Sequence, residues 1–291
     1  MASATGRRPR AAKAERDRVS PAATLETPRY SQSLERGLAI LACFRPEQPW
    51  MRLADIADSL GLSRSTTHRY LTTLVALGYL EQGQSRRYRL GLKVTDLGMV
   101  VLNSTGLREH AHPYLEELCK QSSYSVNLAV LDGTEILFVD RLRSLRRVQG
   151  KIDMGLAPGS RLPAYCTAMG KLLLGNLPEG EQSERLAEME LTKRGPNTIT
   201  SKKTLREELE EVQASGFAVN DEELAAELFA IAAPVRNETR EVVAAVNLAA
   251  DSSMISLSEH VDALSPHLIS TADRVSARLG YRRDDESTTP G

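Results

Sequence analysis

Aromatic residues are scarce in this 291-residue chain, with one Trp, eight Tyr and four Phe, or 4%. A protein that holds single-stranded nucleic acid by stacking bases on rows of rings needs more, so that class of binder is excluded. Three cysteines, Cys43, Cys119 and Cys166, stand far apart without a CxxC spacing or a nearby His cluster. That leaves no disulfide framework and no zinc site, and fits a reducing cytoplasm; no metal or cofactor is expected. No run approaches 18 consecutive apolar residues, and the Ala-, Arg- and Pro-rich start lacks the apolar stretch of a signal peptide. Neither a membrane span nor export is therefore expected.

Net charge is nearly lacking too, at −1, but it is unevenly spread. Up to Lys93 there are 16 Lys and Arg against 8 Asp and Glu; after it there are 21 against 30. A basic third joined to an acidic remainder suggests that one part meets a polyanion and the other does not. Part of the excess belongs to residues 1–29, which are polar, Pro-punctuated and without hydrophobic period, and read as a disordered basic tail. Residues 281–291 read as a second frayed end.

Order is expected from Ser33, a candidate cap for a helix whose apolar face is Leu34, Leu38, Ile40 and Leu41. A second helix spans Leu53–Leu60. Gly61-Leu62 makes a turn, and Ser63 caps a third helix that reaches Leu77 and stops at Gly78. Two helices packed across a tight turn need a small residue in the first and a glycine at the turn. Ala57 and Gly61 meet that need, with Thr67, Leu71 and Leu74 as the inward stripe of the third helix. Ser65, Arg69 and Thr72 then face outward, with Thr66 and His68 on the flanks and Ser63 and Arg64 at the helix start, hydroxyls and cations suited to a helix lying in the major groove of duplex DNA. Two short strands follow, Tyr79-Leu80 and Tyr88–Leu90. The loop between them bears Arg86 and Arg87, the composition of a wing that grips flanking phosphates. A solvated helical hairpin is the plain alternative, but helix order, basic wing and local charge together favour DNA binding.

Residues 94–112 read as a linker helix ended by Pro113, and 113–280 as an α/β unit. Ser125–Leu131 and Glu135–Arg141 flank Asp132-Gly133, a strong hairpin signal, and Phe229–Val235 with Glu241–Ala250 form a second hairpin. Helices near Thr167–Leu174, Glu181–Met189 and Ser201–Ser215 lie between them, and an amphipathic helix near Ser258–Leu279 closes the chain. The fold class is α+β, a winged helix-turn-helix over 30–93 followed by the α/β unit.

With those blocks placed, the chain resembles the IclR family of transcription regulators. The resemblance rests on SQSLERGLAIL (Ser31–Leu41), LADIADSLGLSRSTTHRYLTTLVALGYL (Leu53–Leu80), GSRLPAYCTAMGKLLL (Gly159–Leu174), GFAVNDEEL (Gly216–Leu224), IAAPVR (Ile231–Arg236) and VVAAVNLAA (Val242–Ala250). It implies a homodimer or homotetramer that binds operator DNA and holds a small organic acid in a GAF-like C-terminal domain. The SQSLERGL and LPAYCTAMGK blocks resemble the protocatechuate and p-hydroxybenzoate regulators of that family, which implies an aromatic acid. In one place the pattern departs: where the family carries Gly-Leu and then Arg-Cys or Arg-Ser, this chain has Glu227-Leu228-Phe229-Ala230.

Read from the residues, Arg161, Leu162, Ala164, Tyr165, Cys166 and Thr167 lead into a helix starting near Cys166, and a helix start attracts a carboxylate. Arg141 is a second candidate cation. Asn247 inside an apolar strand needs a partner, Asp221 can accept from a ligand hydroxyl, and Ala230 occupies the family's polar position beside the ligand. For Tyr165 and Cys166 a plain core role is equally open; Asn247 satisfied by backbone, and Asp221 as a helix cap, are the corresponding alternatives. No catalytic constellation accompanies them. The Gly170-Lys171 pair lacks the glycine and hydroxyl of a phosphate loop, no GxSxG, HExxH or SxxK occurs, and His110 and His112 are two apart, off a common helical face. A sensor, not an enzyme, is expected.

Overall fold

The computed structural model describes residues 30–45, 47–104, 106–143, 155–251 and 256–282. The tail expected over 1–29, and 283–291 of the second, lie outside them. The chain divides into two compact units, one up to Leu97 and one from Gly98.

The first unit contains α1 (Gln32–Ala42), β1 (Met51–Arg52), α2 (Leu53–Leu60), α3 (Arg64–Ala76), β2 (Leu80–Gln82) and β3 (Arg87–Leu90). Its sheet runs β1-β3-β2, all antiparallel. The pairing of Met51-Arg52 with the wing was not expected from so short a segment. Ile40, Met51, Ile56, Leu71, Leu74, Leu80 and Tyr88 form the core. α1 starts two residues earlier than expected, with Ser31 accepting from the Leu34 amide. Its apolar stripe does not all turn inward: Ile40 is fully buried, whereas Leu34 and Leu38 are 63% and 57% exposed.

Helix α4 (Lys93–Ser104) crosses the boundary between the units, and α5 (Leu107–Ser122) follows it. The linker helix expected to stop at Pro113 ends instead before Gly106, a left-handed residue at φ +60°. Pro113 lies inside α5, where a missing N–H costs roughly 3 kcal/mol. Buried Leu107, Ala111, Leu115, Leu118 and Cys119 repeat every three to four residues along α5 and outweigh that cost.

The second unit is built on one sheet of β4 (Ser125–Asp132), β5 (Glu135–Leu142), β6 (Arg161–Pro163), β7 (Ala218–Asp221), β8 (Leu228–Arg236) and β9 (Val242–Asp251). The order is β6-β5-β4-β9-β8-β7, every neighbouring pair antiparallel. Gly133 turns the first hairpin at φ +64°, as its Asp-Gly signal implied. Helices α6 (Ala168–Gly175), α7 (Glu179–Glu188) and α8 (Lys202–Ser215) lie between β6 and β7, and α9 (Leu257–Arg278) closes the chain. Side-chain alternation divides the core in two. Ala129, Ile136, Phe138, Ala230, Ala232 and Ala245 pack with α6 and α8, while Val126, Leu128, Ile231, Val246 and Leu248 pack with α5 and α9. Every residue of α6 is buried, as a helix covered on all sides requires.

The departure at Glu227 leaves a physical mark. Its φ is +63°, so the backbone keeps the left-handed shape that glycine adopts freely. Holding a side chain there costs about 1–2 kcal/mol, partly offset by the larger entropy that glycine loses on folding. Glu227→Gly is therefore expected to raise unfolding free energy by about 0.5–1 kcal/mol in urea titrations, where an ordinary loop Glu→Gly change lowers it.

Candidate DNA interface and sensing site

The helix-turn-helix holds its shape through backbone and hydroxyl contacts. Gly61 is left-handed at φ +64°, and the Leu62 amide donates to Ala57 O at 3.0 Å. Thr67 is fully buried and donates its hydroxyl to Ser63 O at 3.0 Å. The Ser63 hydroxyl accepts from the Thr66 amide at 3.1 Å and donates to Thr66 Oγ1 at 2.8 Å, so it serves the helix start first. Thr72 likewise donates to His68 O at 2.9 Å. Arg64, Ser65, His68 and Arg69 are exposed, with Thr66 half-buried on the flank.

The arginines fall into two classes. Arg89 pairs with Glu81 at 2.5 Å and stacks on Trp50, 5.0 Å from the ring centroid. Arg64, Arg69, Arg86 and Arg87 are exposed and form no ion pair among the described residues. Arg86 adopts the left-handed conformation at φ +53°, at the wing turn. A cation already neutralised by a carboxylate has little left for phosphate; these four keep their charge available.

In the second unit, Pro163 belongs to the β6 edge strand, and three residues later Cys166 O accepts from Asn220 Nδ2 at 2.6 Å, on the opposite edge strand β7. In a flat sheet those edges would be about 24 Å apart. Three residues reach only about 11 Å, so the sheet must curl around the connection. That connection is a 3-10 turn, Ala164–Cys166, followed by α6 with Thr167 as its cap; the helix thus starts two residues later than expected. Thr167 Oγ1 accepts from the Gly170 amide at 3.1 Å. A Cβ on Gly170 would meet Ala164 O at 2.1 Å, so glycine is required where the helix touches the turn.

The structure distributes the expected effector residues unequally. Ala164, Tyr165, Cys166 and Thr167 are buried at the α6 start, and Leu162 is half-buried beside them. Ala230 and Asn247 lie on the concave face below. The Tyr165 hydroxyl donates to Thr192 O at 2.6 Å. Burial pushes the Cys166 thiol up to about 11, which keeps it protonated and inert at neutral pH. Two expectations need correction. Arg161 turns outward, to Asp132 and Glu135 of the neighbouring hairpin, because those carboxylates stand directly beside its strand. Asp221 pairs with Phe229, so alternation puts it on the face opposite Asn220. Asn220, one residue earlier, is the side chain that meets the turn.

Known proteins share this arrangement. The IclR helix-turn-helix domain matches residues 33–84, and the bacterial transcriptional regulator IclR C-terminal domain matches residues 99–277. The chain belongs to the IclR family. Its curated relatives include the Pca regulon regulatory protein of Pseudomonas putida, 33% identical over 87% of each chain. Among solved structures, a candidate transcriptional regulator from Rhodococcus sp. RHA1 is 36% identical with a TM-score of 0.74, covering 86% of this chain and 98% of that one. An IclR homologue of Microbacterium hydrocarbonoxydans, complexed with 4-hydroxybenzoate, is 27% identical with a TM-score of 0.73, covering 85% and 98%. This IclR-family chain is accordingly a DNA-binding transcription regulator with an N-terminal helix-turn-helix and a C-terminal α/β domain.

Some residues near the site carried no signal in the sequence. Lys171 is 2% exposed and binds Glu208 at 2.6 Å and Glu223 at 2.5 Å, tying α6 to α8 and to the loop after β7. Burial pushes the Glu223 carboxyl above its usual range, against the pull of the Lys171 ammonium. Asn127 and Asn220 were also missed; each sits in a strand that reads as alternating. For the interface, Arg69→Ala is expected to weaken operator binding by about 1–3 kcal/mol and relax selectivity at one base pair. Arg87→Ala should weaken all duplexes alike and lower the slope of log affinity against log salt by about one. Fluorescence anisotropy across a salt series measures both.

Proposed function

We propose that this regulator controls a catabolic operon in response to a small aromatic carboxylic acid held between α6 and the concave face of the sheet. The observation that carries the reading is the lining of that face. Ala129, Ala230, Ala232, Ala245 and Ala249 keep it shallow, and the polar Asn127 and Asn247 sit among them. Small side chains with a few polar groups among them are the lining a flat ring would need, the polar groups setting its orientation. The first turn of α6 offers positive amide density for the carboxylate. Support also comes from the relatives: one is a Pca regulon regulator, and a solved homologue contains 4-hydroxybenzoate. With Cys166 protonated, we read the α/β domain as a sensor without turnover. Its partners are then double-stranded operator DNA and the acid, and its compartment the cytoplasm.

A second copy of the chain is the remaining partner. Leu34 and Leu38 on α1, and Leu97 and Val100 on α4, are between 56% and 68% exposed. Each pair lies three or four residues apart and so forms one helical stripe. Apolar stripes of this kind are normally covered. A two-fold dimer covers both copies at once and sets two recognition helices for a two-part operator. The acid would act by favouring one arrangement of the sensing domains, passed through α4 to the spacing of the readers.

Thermal unfolding with a panel of acids tests the sensing half. Benzoate-type hydroxy acids and protocatechuate at a hundredfold excess over Kd are expected to raise Tm by about 5 °C or more, and pyruvate and glyoxylate to leave it unchanged. No shift with any acid would favour an architectural DNA-binding protein whose second domain only oligomerises.

A further inference from the structure

Trp50 is the one tryptophan of the chain, yet among the described residues the core of the first unit is built without it. The ring is half-buried and stands just before β1, where Met51 and Arg52 pair with Tyr88 and Arg87 of β3. Its contacts point to the wing. The Arg89 guanidinium lies over the ring, 5.0 Å from the centroid, and Arg89 Nε also donates to Glu81 Oε2 at 2.7 Å. A Cβ on Gly83 would stand 2.9 Å from Trp50 Cζ3 and 3.0 Å from Cη2, closer than a side chain tolerates. Gly83 has no left-handed φ to demand glycine. Its missing side chain is what lets the indole rest on the wing backbone.

Gly83 is also where the wing turn closes. Its amide donates to Arg87 O at 2.8 Å, and its carbonyl accepts from the Arg86 amide at 3.1 Å. The strands behind that turn are short, three residues in β2 and four in β3, and a two-stranded ribbon is marginal by itself. Glu81 on β2 faces Arg89 on β3, with Trp50 before β1 and Gly83 at the turn. One chain of contacts thus ties all three strands to the wing tip. A ring stacked on a guanidinium that already pairs with a carboxylate offers little to phosphate directly. Its contribution is rigidity, since a turn ordered in advance spares the cost of ordering it on association.

We propose that Trp50 positions the wing: in contact with both Arg89 and Gly83, it holds the Gly83–Arg87 turn so that Arg86 and Arg87 reach flanking phosphates together. The inference rests on the reading that the wing grips phosphate, and it names the residue on which that grip depends. Trp50 is a positioning residue, acting through the two exposed arginines. The recognition helix α3 is seated separately, by Thr67, Leu71 and Leu74, so base selection does not pass through the ring.

The test is fluorescence anisotropy with the full-length protein across a salt series, using a duplex selected by the protein from a random-sequence pool and an unrelated duplex. Trp50→Ala is expected to weaken binding of both duplexes alike, by about three- to tenfold. It should also lower the slope of log affinity against log salt by about one to two, as the loss of two phosphate contacts would. Trp50→Phe, which keeps a ring for Arg89, should restore most of the slope. In the Trp50→Ala background, Arg87→Ala should lower the slope no further, because its contact is already lost. A ring that only stabilises the domain would lower the unfolding midpoint and leave the slope intact. If Trp50→Ala leaves too little folded protein to titrate, Gly83→Val, which displaces the indole from the wing side, is read in its place with the same loss expected. An unchanged slope in the folded variant, or a further full loss on adding Arg87→Ala, overturns the proposal while the wing reading stands on Arg87→Ala alone. An unchanged slope in Arg87→Ala as well overturns the wing reading and this inference together.

Discussion

Three residues after β6 leaves Pro163, Cys166 O accepts from Asn220 on the opposite edge of the same sheet, and much of the second unit follows from that restraint. A chain so short forces the sheet to curl, and a curled sheet has an inside. The inside must be filled with something narrow, which is why α6 is buried over its whole length and why Gly170 meets the Ala164 backbone. It also explains the alanines at Ala129, Ala230, Ala232 and Ala245, where larger side chains would close the space. Lys171 fixes the same helix from its other side. A lysine so deep is tolerable only with carboxylates beside it, and Glu208 and Glu223 supply them. The helix beside the proposed pocket is thus held at its start by the short connection from β6 and the Asn220 hydrogen bond, and further along by the Lys171 ion pairs.

The first unit solves a different problem, presenting charge without losing it. Its fold is completed by hydroxyls and small residues: Gly61 at the turn, Ser63 as cap, and the Thr67 hydroxyl on Ser63 O. Because these take up the local hydrogen bonding, Arg64, Arg69, Arg86 and Arg87 are not needed for internal ion pairs. Arg89 is the contrast, spent on Glu81 and Trp50 at the base of the wing. Helix α4 carries the chain from this unit to the sensor, with apolar residues exposed along it.

What could be read from the sequence was what depends on neighbours in the chain. The Ser63 cap, the Thr67–Leu71–Leu74 stripe, the Gly61 turn and the Asp132-Gly133 hairpin all rest on spacings of a few residues, and all appear where expected. Features decided by distant partners were hidden. Periodicity located an apolar stripe on α1 but not that Leu34 and Leu38 would be left uncovered. Pro113 signalled a stop, yet the buried stripe through Leu115 and Leu118 carries the helix past it. A single step of register separates Asp221, the expected contact, from Asn220, the one that meets the turn. Lys171 showed only as half of a failed phosphate-loop pair, because its carboxylate partners lie 37 and 52 residues away. Arg161 looked free because the carboxylates that hold it belong to a hairpin formed earlier in the chain.

A DNA reader joined to an acid sensor regulates only if the two are energetically coupled. Coupling is reciprocal: if the acid changes operator affinity by some factor, operator must change acid affinity by the same factor. The direct measurement is acid binding to the full-length protein with and without a saturating duplex selected by the protein from a random-sequence pool. The acid Kd is expected to move by about fivefold to 150-fold, and the operator Kd to move equally when the titration is reversed. An acid that binds with the same Kd in both conditions would contradict it.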